Sequence, residues 1–523
     1  MGGDREETST LSLCDGIRMV FMSEGHSLGA NREVELKLAI ASPSARSAAD
    51  REVAGASARS VETIYYDTPR RVLRSAGYSL RLRRDGEQWS QSIKGEGGLS
   101  RYEHDQPLRG GLPDFSLLEG TPIGPLMGSD SGPSPVFVTR VQRRSRRRTA
   151  DGSRIEFSFD EGEVIARDRS WPILELELEL KTGAPQALFD QGRRLAEDDA
   201  FVPAFMSKAQ RGFALADGML GEPVKFGAHP LNEDMPARDA FQTLALRCLR
   251  QLTLNAELIA GGARNEATHL ARTALRRLRV AMSLFGDLLD AERLDAVKAE
   301  LRWLTGELAD ARNLDVFLAE TFEPRAAEIS DRDGAAAFGQ VLLRAQVRAH
   351  DRACAALGSS RFRLLLLDAA RWIEGDAAPT SDEADPPVAA FAVQALDKQR
   401  QTLRARLKKL DWSDAEARHK ARIAAKKMRY ASEFFLDLGP KSRADDYRPF
   451  VKALAVLQDK LGALNDLTVA EPMIPSLLRG APDAERVAYA AGLIMGRDLA
   501  GADHLAKSAK RASRAFLDMP AWW

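Results

Sequence analysis

Glu33-Val34-Glu35-Leu36-Lys37-Leu38 alternates charged and apolar side chains with a period of two. That is the signature of a β-strand with one wet face and one dry face. Glu33, Glu35 and Lys37 fall on one side, and Val34, Leu36 and Leu38 on the other. The same pattern returns at Ile173-Leu174-Glu175-Leu176-Glu177-Leu178-Glu179-Leu180. One such strand alone reads as a solvated sheet face. Two carboxylate ladders, with strands of paired arginine and lysine between them, read as one shared site. Aligned carboxylates repel unless cations sit among them. The pattern therefore points to a place for a metal ion and a polyanion.

Working outward, residues 61–66 are β-branched and aromatic, and Asp67-Thr68-Pro69 marks a turn. Residues 78–84 alternate, with Arg81 and Arg83 on one face, and Asp85-Gly86 is a hairpin signal. The return strand aligns Ser90, Ser92 and Lys94, and the next aligns Arg101 and Glu103. Residues 110–135 are rich in Gly, Pro and Ser and read as loops. A basic strand over 136–148 turns at Asp151-Gly152 into 154–160, and Gly162 turns again into 164–168. Residues 185–196 have helical spacing. The sum is about eight antiparallel strands, a sandwich or a barrel. If the sheet closes, the charged faces line a lumen too costly to bury without ligands. Arginine forks take phosphoryl oxygens in pairs, and carboxylates hold Mg²⁺ or Mn²⁺. A triphosphate with a divalent cation would suit such a lumen.

The chain has 523 residues, enough for two or three domains. Its 75 basic and 75 acidic residues cancel, so no global field argues for nucleic acid. Cys14, Cys248 and Cys354 are far apart, which fits a reducing compartment. No apolar run is long enough to span a membrane, and no signal peptide is expected. Residues 1–31 read as a poorly structured leader. After Pro223 the composition shifts to Ala, Leu and Arg with a helical period. Residues 218–236 read as a linker, and about ten helices without a sheet are expected from 237 onward. An acidic, proline-containing stretch at 376–387 divides this region, and its halves repeat. His269-x-x-Arg272-x-x-x-Arg276-Arg277-Leu278-Arg279 matches His419-x-x-Arg422-x-x-x-Lys426-Lys427-Met428-Arg429. A second match pairs residues 308–316 with 461–469. On each helix the positions i, i+3, i+7 and i+10 form one basic stripe with almost no acid. Two facing stripes would hold a long polyanion by charge and counterion release.

The ordered set of Glu-x-Glu-x-Lys, Arg-x-Arg, Lys94, Glu103, the basic strand, Asp160 and Glu-x-Glu-x-Glu resembles the CYTH, or triphosphate tunnel metalloenzyme, domain. The resemblance covers about residues 32–215 and ends in Ser207-Lys208-Ala209-Gln210-Arg211. It implies an eight-stranded antiparallel tunnel that hydrolyses or cyclises a triphosphate with Mg²⁺ or Mn²⁺. The implied catalytic residues are Glu33, Glu35, Lys37, Glu103 and Asp160. The implied metal ligands are Glu33, Glu35, Glu175, Glu177 and Glu179. Arg81, Arg83, Lys94, Arg140, Arg143 and Lys208 would bind phosphates. Arg140 and Arg143 have opposite parity, so both face inward only across a bulge, and Arg143 ranks first.

The repeated helices resemble the CHAD domain over about residues 233–515. That resemblance implies a two-fold-like bundle with a basic groove for polyphosphate. The groove residues would be His269, Arg272, Arg276, Arg279, His419, Arg422, Lys426 and Arg429, with Arg277 and Lys427 off the stripe. Imidazoles there would donate hydrogen bonds more strongly below their pKa. Asn313, Asp315, Asn465 and Asp466 read as caps or braces. The expected fold is α+β and multidomain. A β tunnel spans 32–217, and an all-α bundle spans 237–515 with repeats at about 237–375 and 388–515. The expected function is inorganic triphosphate hydrolysis joined to long-chain polyphosphate binding. It would take place in the cytoplasm, with association to polyphosphate granules and no membrane or nucleic-acid partner. The alternatives are a non-catalytic polyphosphate-binding protein, a nucleotide triphosphatase, or an adenylate cyclase. Oligomeric state is left open.

Overall fold

The computed structural model describes residues 32–95, 100–127, 132–198, 200–227, 231–262, 265–376, 385–438, 444–479 and 481–523. The leader expected over 1–31 lies outside them. The strands are β1 (Arg32–Ile40), β2 (Arg59–Asp67), β3 (Tyr78–Asp85), β4 (Gln88–Gly95), β5 (Ser100–Leu108), β6 (Ser134–Ala150), β7 (Ser153–Ala166), β8 (Arg169–Thr182) and β9 (Phe201–Pro203). Their order is β5-β4-β3-β2-β6-β7-β8-β1. β1 pairs antiparallel with β8 through residues 35–39 and with β5 through residues 32–34, so eight strands close a tunnel. The three-residue β9 adds a ninth strand along β1. The Asp151-Gly152 hairpin has φ 49° and 74°, the paired left-handed geometry that favours Asp-Gly.

Alternation decides what each strand buries. Leu36, Leu38, Phe157, Phe159, Leu176 and Leu178 point outward into one apolar cluster. Leu80, Leu82 and Ile93 enter a second, under Leu118 and Ile123 of the 110–127 loop. Four helices accompany the tunnel: α1 (Pro43–Glu52), the single turn α2 (Val72–Ser75), α3 (Gln186–Asp198) and α4 (Lys208–Ala216). α4 carries Phe213 against Phe137, edge to face at 5.0 Å, and Phe137 stacks on Tyr65 at 4.4 Å. This apolar group brings α4 onto β6 and β7 and fixes the first turn of α4 beside the lumen charges.

The basic strand β6 has too many arginines for one face, and α1 explains the surplus. Arg146 donates to the Ala54 carbonyl (2.8 Å), and Arg148 to the Arg51 and Glu52 carbonyls (3.1 and 2.9 Å). Arg144 pairs with Asp50 and lies over the Phe159 ring. Arg148 satisfies the last carbonyls of α1 and Arg146 a carbonyl just beyond them, where the helix dipole favours positive charge.

The helical region comprises α5 (Ala237–Ala260), α6 (Asn265–Leu284), α7 (Ala291–Glu307), α8 (Ala309–Val316), α9 (Glu323–Ala326), α10 (Arg332–Gly358), α11 (Ser360–Arg371), α12 (Val388–Lys408), α13 (Ala415–Phe434), α14 (Ala444–Leu478), α15 (Ala484–Ala500) and α16 (Ala502–Leu517). π-helical turns at Phe317–Phe322 and Trp372–Asp376 follow α8 and α11. The starts of the two repeats tie to each other. Ala237 N–H donates to the Pro386 carbonyl, and Val388 N–H to the Met235 carbonyl. The 218–236 segment is strapped to the bundle: Val224 exchanges hydrogen bonds with Asn255, and Phe226 and Leu231 join the core. Packing also runs past residue 515, since Trp522 and Trp523 meet Tyr447 and Phe450 edge to face.

α11 of the bundle docks on α3. Arg193 pairs with Asp368 and Arg371 with Asp190, each at 2.7 Å. The buried Arg363 donates to the Ala196 carbonyl. Leu367 enters the tunnel's outer core beside Leu36. Gly192 makes room for both, because a Cβ there would lie 2.5 Å from Leu36 Cδ2 and 3.3 Å from Leu367 Cδ2. Gly192→Val is expected to cost about 1–3 kcal/mol by overpacking, read as a lower thermal midpoint.

Candidate active site and basic groove

The inward faces of β7, β8 and β1 meet at one cluster. Cross-strand register places Asp160 opposite Glu175 and Lys37 opposite Glu177. On β6, Arg143 lies opposite Asp160. The Arg143 guanidinium donates to Asp160 Oδ1 (2.6 Å) and to Glu177 Oε2 (2.6 Å). Lys37 Nζ donates to Glu177 Oε1 (2.9 Å) and pairs with Glu35. Lys208, the first residue of α4, is held there by the Ser207–Gln210 capping box. Its ammonium meets Asp160 (2.6 Å), Glu177 (2.9 Å) and Glu175. Arg211, one turn further along α4, reaches Glu175 at 3.3 Å.

Burial and charge act in opposite directions on these groups. Burial would raise the Glu177 pKa, but Lys208, Lys37 and Arg143 hold it well below the carboxylate range. Asp160 is likewise lowered, its burial outweighed by Lys208 and Arg143. Burial pulls Lys208 down, but Asp160, Glu175 and Glu177 carry it above the ordinary lysine value. All three therefore stay charged at neutral pH.

A second wall comes from β3, β4 and β5. Glu103 accepts from Lys94 (2.8 Å) and Arg81 (3.1 Å). Arg83 reaches Asp85 only at 4.0 Å. Burial, then Arg143 and Arg81, lower its pKa, while Asp85 and Glu177 act the other way. This wall holds two bases on Glu103, with Arg83 two residues along β3 from Arg81.

Among the expected tunnel residues, Glu35, Lys37, Arg143, Asp160, Glu175, Glu177 and Lys208 come together, with Arg81, Arg83, Lys94 and Glu103 facing them. Glu179 stands further along β8, opposite Glu35 and Glu156 and paired with Lys181 at 2.5 Å. Glu33 lies on β1 opposite Arg101, but both side chains are outside the described set. Arg140 is a correction. No bulge separates it from Arg143 in the β6–β7 register. It therefore points outward, 62% exposed, and binds Glu62 at 2.8 Å. Sequence reasoning did not assign Arg211, although its i+3 spacing from Lys208 was the available signal.

In the bundle, α6 and α13 cross and bring the two stripes together. Arg276 Nε donates to Tyr430 Oη (3.3 Å), and Arg272 to the Thr305 carbonyl (3.0 Å). His419 Nδ1 lies 2.9 Å from Asn465 Oδ1. Asp315 accepts from Gln346 (2.7 Å) and bonds His350 (2.9 Å), so it braces α8 on α10. Arg312 joins the cations of the groove. Burial, then Arg312 and Arg276, push the His269 imidazole down to about 4. It is therefore neutral at neutral pH. Burial, then Arg422, Arg276 and Arg429, push Lys426 down to about 7. Buried cations crowded in this way gain by meeting an anion.

Comparison with known proteins adds family and fold. The CYTH domain model matches residues 31–213, and the CHAD domain model matches residues 243–474. The inorganic triphosphatase of Haemophilus influenzae is 34% identical over 158 residues, spanning 29% of this chain and 44% of that protein. The chain thus covers under half of that relative's length. The CHAD domain from the plant Ricinus communis superposes with a TM-score of 0.50 at 29% identity, covering 57% of this chain and 97% of that one. A putative adenylyl cyclase from Hippeastrum aligns at 17% identity over 35% of this chain and 95% of that one, with a TM-score of 0.27.

Proposed function

For a chain that joins a CYTH domain to a CHAD domain, we propose metal-dependent hydrolysis of inorganic triphosphate in the tunnel and long-chain polyphosphate binding along the helical groove. One observation carries the first part: two walls face each other across the lumen. One wall balances Glu35, Asp160, Glu175 and Glu177 against Lys37, Arg143, Lys208 and Arg211. The other offers Arg81 and Lys94 on Glu103, with Arg83 on the same face of β3.

The residues fit a divalent cation. Asp160, Glu175 and Glu177 each offer a carboxylate oxygen within 4.8 Å of the others, the hard donors that Mg²⁺ or Mn²⁺ prefer. When bound, the ion supplies charge neutralisation at phosphoryl oxygens and a polarised water. Arg81, Arg83 and Lys94 would bind the triphosphate oxygens and stabilise the charge that develops. Glu103 orients Arg81 and Lys94. Arg143 and Lys37 keep Glu177 ionised. The groove would hold polyphosphate close to the enzyme, in the cytoplasm and on polyphosphate granules. Among the described residues, no helix is long and apolar enough to cross a membrane.

The test is phosphate release with Mg²⁺ or Mn²⁺ from tripolyphosphate, ATP, thiamine triphosphate and long-chain polyphosphate. Metal-dependent turnover, fastest on tripolyphosphate, is expected. No turnover on any of the four would sink the hydrolase reading.

A further inference from the structure

The duplicated bundle can be compared with itself. An offset of 150 residues carries His269 onto His419, Arg277 onto Lys427, Arg279 onto Arg429 and Ser283 onto position 433. The crossing of α6 and α13 therefore contains one contact twice. On one flank, Arg277 Nη2 donates to Glu433 Oε2 at 2.7 Å. On the other, Lys427 Nζ donates to Ser283 Oγ at 3.1 Å. The geometry repeats, but the charge does not.

On the first flank Glu433 also takes Arg429, at 3.3 Å. Arg277 is further covered by the rings of Phe226 (4.9 Å) and Tyr430 (5.2 Å). That flank is neutralised and closed. On the second flank, no carboxylate among the described residues lies within 4.0 Å of Lys427 or Arg279. The neighbours there are cations from two further helices. Arg406 on α12 donates to the Lys420 carbonyl at 2.6 Å. Lys298 on α7 has only the exposed Asp295, one turn away at 3.4 Å. Burial, then Arg406, Arg279 and Lys298, lower the Lys427 pKa, and Arg302 acts likewise on Arg279 after burial. Five cations thus extend the groove outward on this flank.

We propose that a bound linear polyphosphate leaves the groove over the Lys427 flank, contacting Arg279, Lys298, Arg302, Arg406 and Lys427 as one continuous track, while Glu433 bars the opposite exit. This rests on the polyphosphate reading of the groove. It adds that the ligand is a chain longer than the groove, which extends past it at one end.

The duplication supplies the test. Ser283 is exposed, and Ser283→Glu copies the Glu433 lock onto Lys427. Binding of the full-length protein to polyphosphate of about 100 units would be measured against salt, with Arg276→Glu as the groove control. Each lost phosphate contact lowers the slope of log K on log salt by about 0.7–0.9. Ser283→Glu and Arg406→Ala should each flatten that slope by about one contact, and Glu433→Ser should steepen it. A wild-type slope in both Ser283→Glu and Arg406→Ala would overturn the track while leaving the groove intact. Wild-type binding by Arg276→Glu, or no polyphosphate binding by the natural protein, would remove the groove reading itself.

Discussion

Glu177→Gln is expected to slow metal-dependent phosphate release from tripolyphosphate by about 10²- to 10³-fold, the usual cost of losing one preorganised electrostatic group. Three cations converge on this carboxylate: Arg143 at 2.6 Å, and Lys37 and Lys208 at 2.9 Å. Its charge balances the acidic wall, and it is one of three carboxylates placed to share a metal ion. An amide keeps the shape and loses the charge. Four cations would then face three acids in a buried site, and the attraction for a divalent ion would fall. Removing one member of a buried ionic cluster also destabilises, by about 3–5 kcal/mol, so the thermal midpoint should drop in the absence of metal. The control is Glu161→Gln. Glu161 is the next residue along β7 from Asp160, points outward and pairs with Arg46 on the surface. Its turnover should match the natural protein. Turnover of Glu177→Gln within about tenfold of wild type would show that the chemistry does not need this carboxylate.

The tunnel was legible in the sequence because its two determinants are local. Period-two alternation sets which face each residue takes, and Asp-Gly turns fix the hairpin registers. Leu36 and Glu35 could be assigned to opposite faces from six residues alone. β6 resisted the same treatment because both of its faces carry arginine. Only the arrival of α1, whose C-terminal end Arg144, Arg146 and Arg148 engage, separates the outward set from Arg143. Arg140 was assigned inward for the same reason and is not there. α4 was equally hidden. Its position depends on Phe213 meeting Phe137 from a distant strand, so spacing could pair Arg211 with Lys208 but could not place either beside Glu175. In the bundle, duplication exposed both stripes. What it could not show was compensation: Glu433 and Ser283 look like ordinary helical positions until the crossing of α6 and α13 makes them partners of Arg277 and Lys427.

Polyphosphate affinity is expected to fall as pH rises from about 7 to about 9, by at most tenfold per pH unit for the one proton involved. The argument rests on Lys426. Arg422 and Arg429 flank it on α13, Arg276 and His269 face it from α6, and Asp466 on α14 acts on it in the opposite sense. Burial and these cations bring its pKa to about 7 in the empty groove, so above that pH it is largely neutral. A polyanion reverses the local potential and restores the ammonium. Binding above pH 7 must therefore take up a proton, and it weakens as protons become scarce. Below about pH 7 the Lys426 charge is already present, so its share of the pH dependence ends there. His269 does not contribute in this range, since its pKa is held at about 4. Lys426→Arg places at this position the residue found at the equivalent Arg276, with a charge that persists throughout. It should remove the pH dependence and bind more tightly at about pH 9. Calorimetry in two buffers of different ionisation heat would count the proton directly. A natural protein that binds with no proton uptake and a flat profile would mean that Lys426 is already charged in the empty groove, with the crowding of its neighbours relieved in some other way.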